Sequence, residues 1–316
     1  MIEPVFFLVL GLTLLLVGAN LLVTSTERFS SAYSISGFAA SFFIIGIATS
    51  APEIFISIES ALENETILAV GNSIGSNISN IALVFCLSVL FIKQKDKVMI
   101  LPKNMFTGMI LLTLSLFTLI IFDSLFNAFD ALVLFLVFVV ILFFLNREKY
   151  NIDSTRKESS ESFSILNISL LSLVGVLMLI YGSTYFIDGA TQIAILFGIS
   201  TYTIGLTLTA LGTSLPELAA SIQSARKDRS DFIIGNILGS NIFNIAIAAS
   251  LAGLINSAIV NESEFIRDIS VLLIVSIFFY MIIKSDITLI KTLYSSILVI
   301  TYFVYILSLI HISEPT

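Results

Sequence analysis

Along this chain the hydrophobic positions run on rather than alternate. Ten apolar stretches, roughly 4–26, 37–61, 66–92, 101–122, 126–146, 164–187, 199–225, 231–256, 265–284 and 287–310, are separated by short breaks of charged, Gly, Pro or Asn residues. Each approaches or exceeds the ~20 residues a helix needs to cross a hydrocarbon core about 30 Å thick. The pattern predicts an all-α polytopic membrane protein with ten transmembrane helices. The first run begins MIEPVFFLVL, without a basic region or a small-residue cleavage site, and reads as the first span rather than a signal peptide. The one substantial polar interruption is 147–161, REKYNIDSTRKESSE. It sets apart a first five-span half (1–146), a linker (147–163) and a second five-span half (164–316).

Composition agrees with the pattern. Of the 316 residues 57% are hydrophobic and 12% charged, with a mean hydropathy of +1.05. A soluble domain carries about 25% charged residues. The lipid bilayer is therefore the expected partner, nucleic acid is not, and no oligomer is required. The net charge of −7 adds little, because most charges sit in short loops. A single cysteine, Cys86, excludes a disulfide framework or a cysteine-based metal site. Positive charge orients the spans. Arg28 follows span 1, and Lys93, Lys95, Lys97 and Lys103 surround the break after span 3. Arg147, Lys149, Arg156 and Lys157 lie in the linker, Arg226, Lys227 and Arg229 follow span 7, and Lys284 and Lys291 flank the last turn. All of these fall on one side and only Arg267 on the other. The positive-inside rule makes that side, with the linker, cytoplasmic and puts both termini outside a multi-pass cell-membrane protein.

The halves are copies. Residues 18–80 align without a gap on 182–244, a shift of 164, and 18 of the 63 positions are identical. The identities cluster in TSAPE (49–53) with TSLPE (213–217), and in GNSIGSNISN (71–80) with GNILGSNIFN (235–244). Five spans per copy is odd, so the halves enter the membrane from opposite faces. Such inverted repeats are common in secondary transporters.

Two chemistries compete for the TSxPE motif. Ser50-x-x-Glu53 and Ser214-x-x-Glu217 match a helix capping box, with Pro suited to a first helical turn. Capping alone does not explain a carboxylate at mid-membrane, which costs at least about 3 kcal/mol on insertion scales, placed twice with no Lys or Arg nearby. Pro52 and Pro216 have no N–H, which frees carbonyls one turn earlier, near Ala48 and Gly212 and beside Gly46 and Ala210. Helices broken at mid-membrane are tolerated where they line a cavity. Carbonyls, hydroxyls and a carboxylate together make an all-oxygen site suited to hard cations such as Ca2+ and Na+. With no His or Cys among them, zinc and copper are not expected. In the second motif Gly71, Gly75, Gly235 and Gly239 read chiefly as close helix-packing positions. Asn77 with Asn80, and Asn241 with Asn244, each share a helix face, where an amide oxygen can complete a cation shell without adding charge. Asn72, Asn77, Asn236 and Asn241 fit equally well as hydrogen-bond partners of the broken helices.

At these residues the chain resembles the cation/calcium antiporter superfamily, in its prokaryotic sodium/calcium exchanger branch. That family carries G-x-T-x-x-A-x-G-T-S-x-P-E, then G-N-x-x-G-S-N, in each of two inverted five-span halves. The second half matches throughout, at Gly205, Thr207, Ala210, Gly212, Thr213, Ser214, Pro216 and Glu217. The first keeps Thr49, Ser50, Pro52 and Glu53 but has Ser41, Phe43, Gly46 and Ala48 upstream. The resemblance implies Na+/Ca2+ exchange by alternating access at a mid-membrane site. Glu53 and Glu217 would be central ligands for both ions. Thr49, Ser50, Thr213 and Ser214, with the carbonyls of Gly46 and Ala210, would complete flanking Na+ sites. Asn80, Asn244, Ser76 and Ser240 would contribute from spans 3 and 8, while spans 1 and 6 slide against the bundle. The transported ions would need no cofactor, and no Walker motif is present for an ATP-driven pump.

Three alternatives stand beside this. A calcium/proton exchanger of the same superfamily would carry an acid after the Gly-Asn dipeptide, and none follows Gly71-Asn72 or Gly235-Asn236 within the motif. A cation channel would need a continuous path rather than one occluding site. An intramembrane enzyme could use the two carboxylates as a dyad, but would have no use for the hydroxyls beside the prolines. Finally, LSLIHISEPT (307–316) resembles the translation of a sequencing-library transposon adapter. The natural chain is expected to diverge near Leu307, and the only histidine, His311, is expected to carry no function.

Overall fold

A computed structural model describes residues 2–92, 99–145, 164–197 and 212–313. Eleven helices account for nearly all of them. They are α1 (Ile2–Ala32), α2 (Gly37–Thr49), α3 (Ala51–Leu62), α4 (Thr66–Phe91), α5 (Lys103–Asp123) and α6 (Ala128–Leu145) in the first half. The second half has α7 (Ile165–Leu196), α8 (Leu215–Arg226), α9 (Ser230–Ile255), α10 (Glu262–Lys284) and α11 (Thr288–Ser313). Two short strands, β1 (Leu125–Phe126) and β2 (Ala258–Ile259), pair antiparallel, Leu125 opposite Ile259 and Phe126 opposite Ala258.

Seven helices are long and apolar enough to cross a membrane: α1, α4, α5, α7, α9, α10 and α11. The pair α2–α3, bent by 43° at its break, makes an eighth. The apolar part of α6, Ala128–Phe143, is shorter. Each of the ten predicted stretches carries a described helix, but the seventh is represented only by its second part, α8. The start of that stretch, with Gly205, Thr207 and Ala210, lies outside the described residues, as do the linker 147–163, Lys93, Lys95, Lys97 and residues 314–316.

The most polar spans sit innermost. The apolar windows of α4 and α9, rich in Ser, Asn and Gly, are 78% and 83% buried, against 28% for α1 and 22% for α7. Lipid accepts Leu and Phe freely but has no partner for an amide, so the helices that carry amides are surrounded by protein. Around them one apolar cluster joins α4 and α9 to α5, α6, α10 and α11, with Phe85, Phe126, Phe243 and Phe279 at its centre.

Helices α1 and α7 form an antiparallel pair of their own, joined to the bundle by a smaller cluster of Leu15, Ala19, Leu22, Val23, Ile45, Leu179, Ala220 and Phe232. Glycines set the spacing of the pair. A Cβ on Gly18 would stand 2.8 Å from the Gly175 carbonyl oxygen, and one on Gly182 would stand 2.8 Å from the Leu15 nitrogen. A Cβ on Gly11 would collide with the Phe186 backbone and reach the Gly182 carbonyl. Gly11 meets Gly182 while Gly18 meets Gly175, and 175 and 182 are 11 and 18 shifted by 164. Such reciprocal contacts are what a two-fold axis lying in the membrane plane produces. The turns obey it too: Asn64 and Asp228, again 164 apart, both have positive φ (66° and 53°), a conformation that Asn and Asp tolerate.

The loops gather on two faces. On one, Asn256 Nδ2 donates to Asn64 Oδ1 (3.0 Å), Thr66 donates to the Asn256 carbonyl (3.1 Å), Ser124 donates to Glu262, and β1 meets β2. On the other, Lys227 binds Glu27 (2.8 Å) and Thr24 (2.8 Å), and Arg229 bridges Glu27 (3.3 Å) and Asp231 (2.7 Å). This grouping is the alternation that the sequence predicts: loops after spans 2, 4 and 8 share one side, and loops after spans 1 and 7 share the other.

Candidate cation-binding site

The two TSxPE motifs make the same local structure. Ser50 (φ −80°, ψ 0°) and Ser214 (φ −88°, ψ 3°) leave helical geometry just before α3 and α8, and Pro52 and Pro216 stand in the first turns that follow. Neither serine caps its helix through its side chain. The Ser50 and Ser214 hydroxyls and all four carboxylate oxygens of Glu53 and Glu217 are buried without a hydrogen-bond partner. Of the two readings of the motif, side-chain capping is not what these helices use: Pro stands in the first turn and neither serine hydroxyl bonds to the helix it precedes.

Among the buried side chains whose oxygens lack a partner, six come in matched pairs. They are Ser50 with Ser214 (Oγ), Glu53 with Glu217 (both Oε), and Asn80 with Asn244 (Oδ1). Every pair is separated by 164. The two glutamates lie close enough to feel each other's charge. Ser76 lies near Glu53 and Thr49 near Glu217. Among the described residues no group of three His, Cys, Asp or Glu gathers in one place, so the two carboxylates stand among neutral oxygens. A buried charge without a partner costs several kcal/mol; a cation shared by these oxygens supplies the missing partner.

Asn80 and Asn244 are placed by a change of helix type. Each begins a π-helical segment, Asn80–Phe85 in α4 and Asn244–Ala249 in α9. Such wide turns insert an extra residue per turn and recur at functional sites. Here they sit at the same repeat position in both copies.

Around this set the halves differ. In the second half Asn236 Nδ2 donates to Ser221 Oγ (2.9 Å) and reaches the Glu217 carbonyl (3.4 Å), while Thr49 donates to Asn236 Oδ1 (3.1 Å). Ser240 lies 3.3 Å from Thr49 Oγ1 and donates to the Gly46 carbonyl (3.4 Å). These bonds tie α2, α8 and α9 together between the glutamates and the 227–229 loop. In the first half the matching Asn72 Nδ2 and Ser57 Oγ are buried without a partner, and among the described residues no hydrogen bond joins Thr213 to Asn72. Among the described residues, the bonds that Asn236 makes on one side of the site are thus not repeated by Asn72 on the other.

Of the predicted site residues, Ser50, Glu53, Asn80, Ser214, Glu217 and Asn244 offer unpartnered oxygens. Thr49, Gly46 and Ser240 belong to the adjoining network, Ser76 lies near Glu53, Thr213 is partly exposed, and Ala210 lies outside the described residues. The packing expected of the glycines holds for one pair. A Cβ on Gly235 would stand 2.7 Å from the Phe38 carbonyl and one on Gly239 2.7 Å from that of Phe42, whereas among the described residues Gly71 and Gly75 meet nothing within 4 Å; the stretch matching Phe38 and Phe42 lies outside them. The sequence reading missed Ser57 and Ser221, although both belong to the identical positions of the repeat.

Comparison with known proteins gives a consistent answer. The family described as "Sodium/calcium exchanger protein" matches residues 3–146 and 168–311, one segment in each half. The inner membrane protein YrbG of Escherichia coli is 32% identical, over 86% of each chain. Sodium/calcium exchanger MaX1 of Methanosarcina acetivorans is 27% identical, over 85% of this chain and 88% of its own. Among solved structures, the sodium-calcium exchanger NCX_Mj superposes with a TM-score of 0.79 at 29% identity, covering 98% of this chain and 99% of that one. With both halves matched and the fold shared from end to end, the chain belongs to the sodium/calcium exchanger family.

Proposed function

We propose that this multi-pass membrane antiporter exchanges Na+ for Ca2+ at the site between Glu53 and Glu217, by alternating access. One observation carries the reading: among the buried oxygens that lack a partner, those of two carboxylates and four neutral groups are matched across the repeat. A divalent cation stripped of water needs about two negative charges nearby, and hydroxyl and amide oxygens fill the remaining coordination of hard cations. Two carboxylates neutralise one Ca2+. Three Na+ in its place leave one net positive charge, so 3:1 exchange would be electrogenic. Thr49, Thr213, Ser76, Ser240 and the Gly46 and Ala210 carbonyls would complete the flanking Na+ positions. Coupling to Na+ rather than H+ is supported by the lack of an acid after Gly71-Asn72 and Gly235-Asn236 in the motif.

The repeats would be 1–146 and 164–316, joined by the linker 147–163. The loop face bearing Arg226, Lys227 and Arg229 would be cytoplasmic, with both termini outside. The α1–α7 pair, held to itself along its length and to the bundle by a smaller cluster and the polar contacts of Asn20, Thr24 and Glu27, would move as a body. The test is uptake of radioactive Ca2+ into vesicles under an imposed Na+ gradient. Uptake is expected to follow the Na+ gradient and stop when it is collapsed. Uptake driven equally by a proton gradient without Na+, or single-channel currents, would overturn the reading.

A further inference from the structure

We propose that Asn77 and Asn241, neither of them in the ion-ligand set above, are positioning residues that decide which end of the Asn80 and Asn244 amides faces the ions. The inference rests on the exchange site proposed above. An Asn side chain has a donating and an accepting end of nearly equal size, so its orientation is fixed by its partners. Here one partner leaves no choice. The Asn77 side chain meets the backbone carbonyl of Asn241 (2.9 Å), and the Asn241 side chain meets that of Asn77 (3.4 Å). A carbonyl only accepts, so both side chains present Nδ2 there, and both must turn Oδ1 the other way. Asn77 Oδ1 then faces Asn244 (3.1 Å) and Asn241 Oδ1 faces Asn80 (3.1 Å). An acceptor requires a donor, so Asn244 and Asn80 present Nδ2 to it. Their own Oδ1 atoms are left over, and these are the buried amide oxygens without a partner.

The chain of four bonds runs through the middle of the molecule. The two Asn77–Asn241 contacts are reciprocal across the shift of 164, and so are the two outer ones. One backbone constraint per half is thereby relayed to one oxygen per half. If either outer amide turned over, two oxygens would face each other and an NH2 group would point at the cation. A second weak contact, from Asn241 Nδ2 to Met109 Sδ at 3.6 Å, does not alter the assignment, because sulfur there also accepts. All four asparagines are buried, so water does not substitute for the missing partner.

An orientation role differs from a structural one in what it couples to. Aspartate has oxygen at both ends, so at position 244 it presents oxygen to an ion whichever way it turns. Asn77→Leu is therefore measured in two backgrounds, the parent and Asn244→Asp, by equilibrium binding of radioactive Ca2+ to purified protein and by KM for Na+-driven uptake. In the parent background the Ca2+ Kd is expected to rise about tenfold or more, and in the Asn244→Asp background less than about twofold, a coupling in the range of contacting residues. The mirror cycle, Asn241→Leu with Asn80→Asp, is expected to give the same result, and Asn77→Ala replaces leucine if that variant does not accumulate in the membrane. Equal losses in both backgrounds would overturn the positioning role and leave the exchange site standing. Failure of the parent protein to bind Ca2+ would overturn both.

Discussion

Glu53 and Glu217 carry the only negative charge assigned to the site, and neither has a protein partner. Glutamine keeps their shape and removes that charge. Glu53→Gln and Glu217→Gln are each expected to reduce Na+-driven Ca2+ uptake to background while the purified protein stays monodisperse; robust transport by Glu217→Gln would refute the assignment. Asn244 allows a sharper test. Its Nδ2 donates to Asn77 Oδ1, so an aspartate there can keep that bond only by holding a proton, and the two nearby carboxylates favour the protonated form as well. At acid pH Asn244→Asp should behave like the parent. As pH rises the proton leaves, a third negative charge appears, an oxygen faces Asn77 Oδ1, and transport should depart from the parental value. The parent, which has no ionisable group at 244, should lack that departure. Coincident profiles would mean that residue 244 does not face the ions. At this scale the sequence pointed to the proposed ligands because their motif occurs twice at one spacing. It did not reveal the Asn77–Asn241 relay, because hydrogen bonds across a two-fold axis leave no trace in local spacing. Ser57 and Ser221 were visible as identities, but a helical serine usually returns its hydroxyl to the carbonyl a turn before, as Ser73, Ser88 and Ser224 do here.

Among elements, the broken helices were legible and the wide turns were not. A proline one residue before a buried acid, after two hydroxyls, announces an interruption, and the chain bends by 43° at the first one. A π-helical segment changes neither composition nor mean hydropathy, so Asn80–Phe85 and Asn244–Ala249 could be found only in three dimensions. Long apolar runs located the spans but not their depth. That α4 and α9 lie innermost follows from their amides and hydroxyls once lipid is taken as the surrounding solvent. The α1–α7 pair makes a prediction at this level. Its helices approach until backbone meets backbone, and a Cβ at Gly18 or Gly182 falls under 3 Å from the partner's main chain. Gly18→Leu or Gly182→Leu should cost at least about 1–3 kcal/mol, the usual range for overpacking, read as a lowered thermal transition of the purified protein. An unchanged transition would show that the pair can separate without penalty and would weaken the case that it moves as one body.

For the whole molecule, the inverted duplication and the one-sided placement of Lys and Arg could both be read from the sequence, and the two loop faces group as that reading requires. What one sequence aligned on itself cannot show is that two matching halves are bonded differently. Asn236 is bonded to Ser221 and Thr49, whereas Asn72 Nδ2 and Ser57 Oγ are buried without a partner at the mirror position. Opening the first set and closing the second would exchange one list of bonds for the same list in the other copy. In the proposed exchange the ion gradients set the direction of travel, and the protein sets only how its two end states are populated. Damage to one copy then acts as a bias. Asn236→Ala removes bonds from one state only, and a loss of about 1–1.5 kcal/mol, typical of a net hydrogen bond, shifts the populations roughly tenfold. Apparent Ca2+ affinity should then rise at one membrane face and fall at the other, in right-side-out against inside-out vesicles. Asn72→Ala should tilt the molecule the opposite way, and the double substitution should bring it back to level.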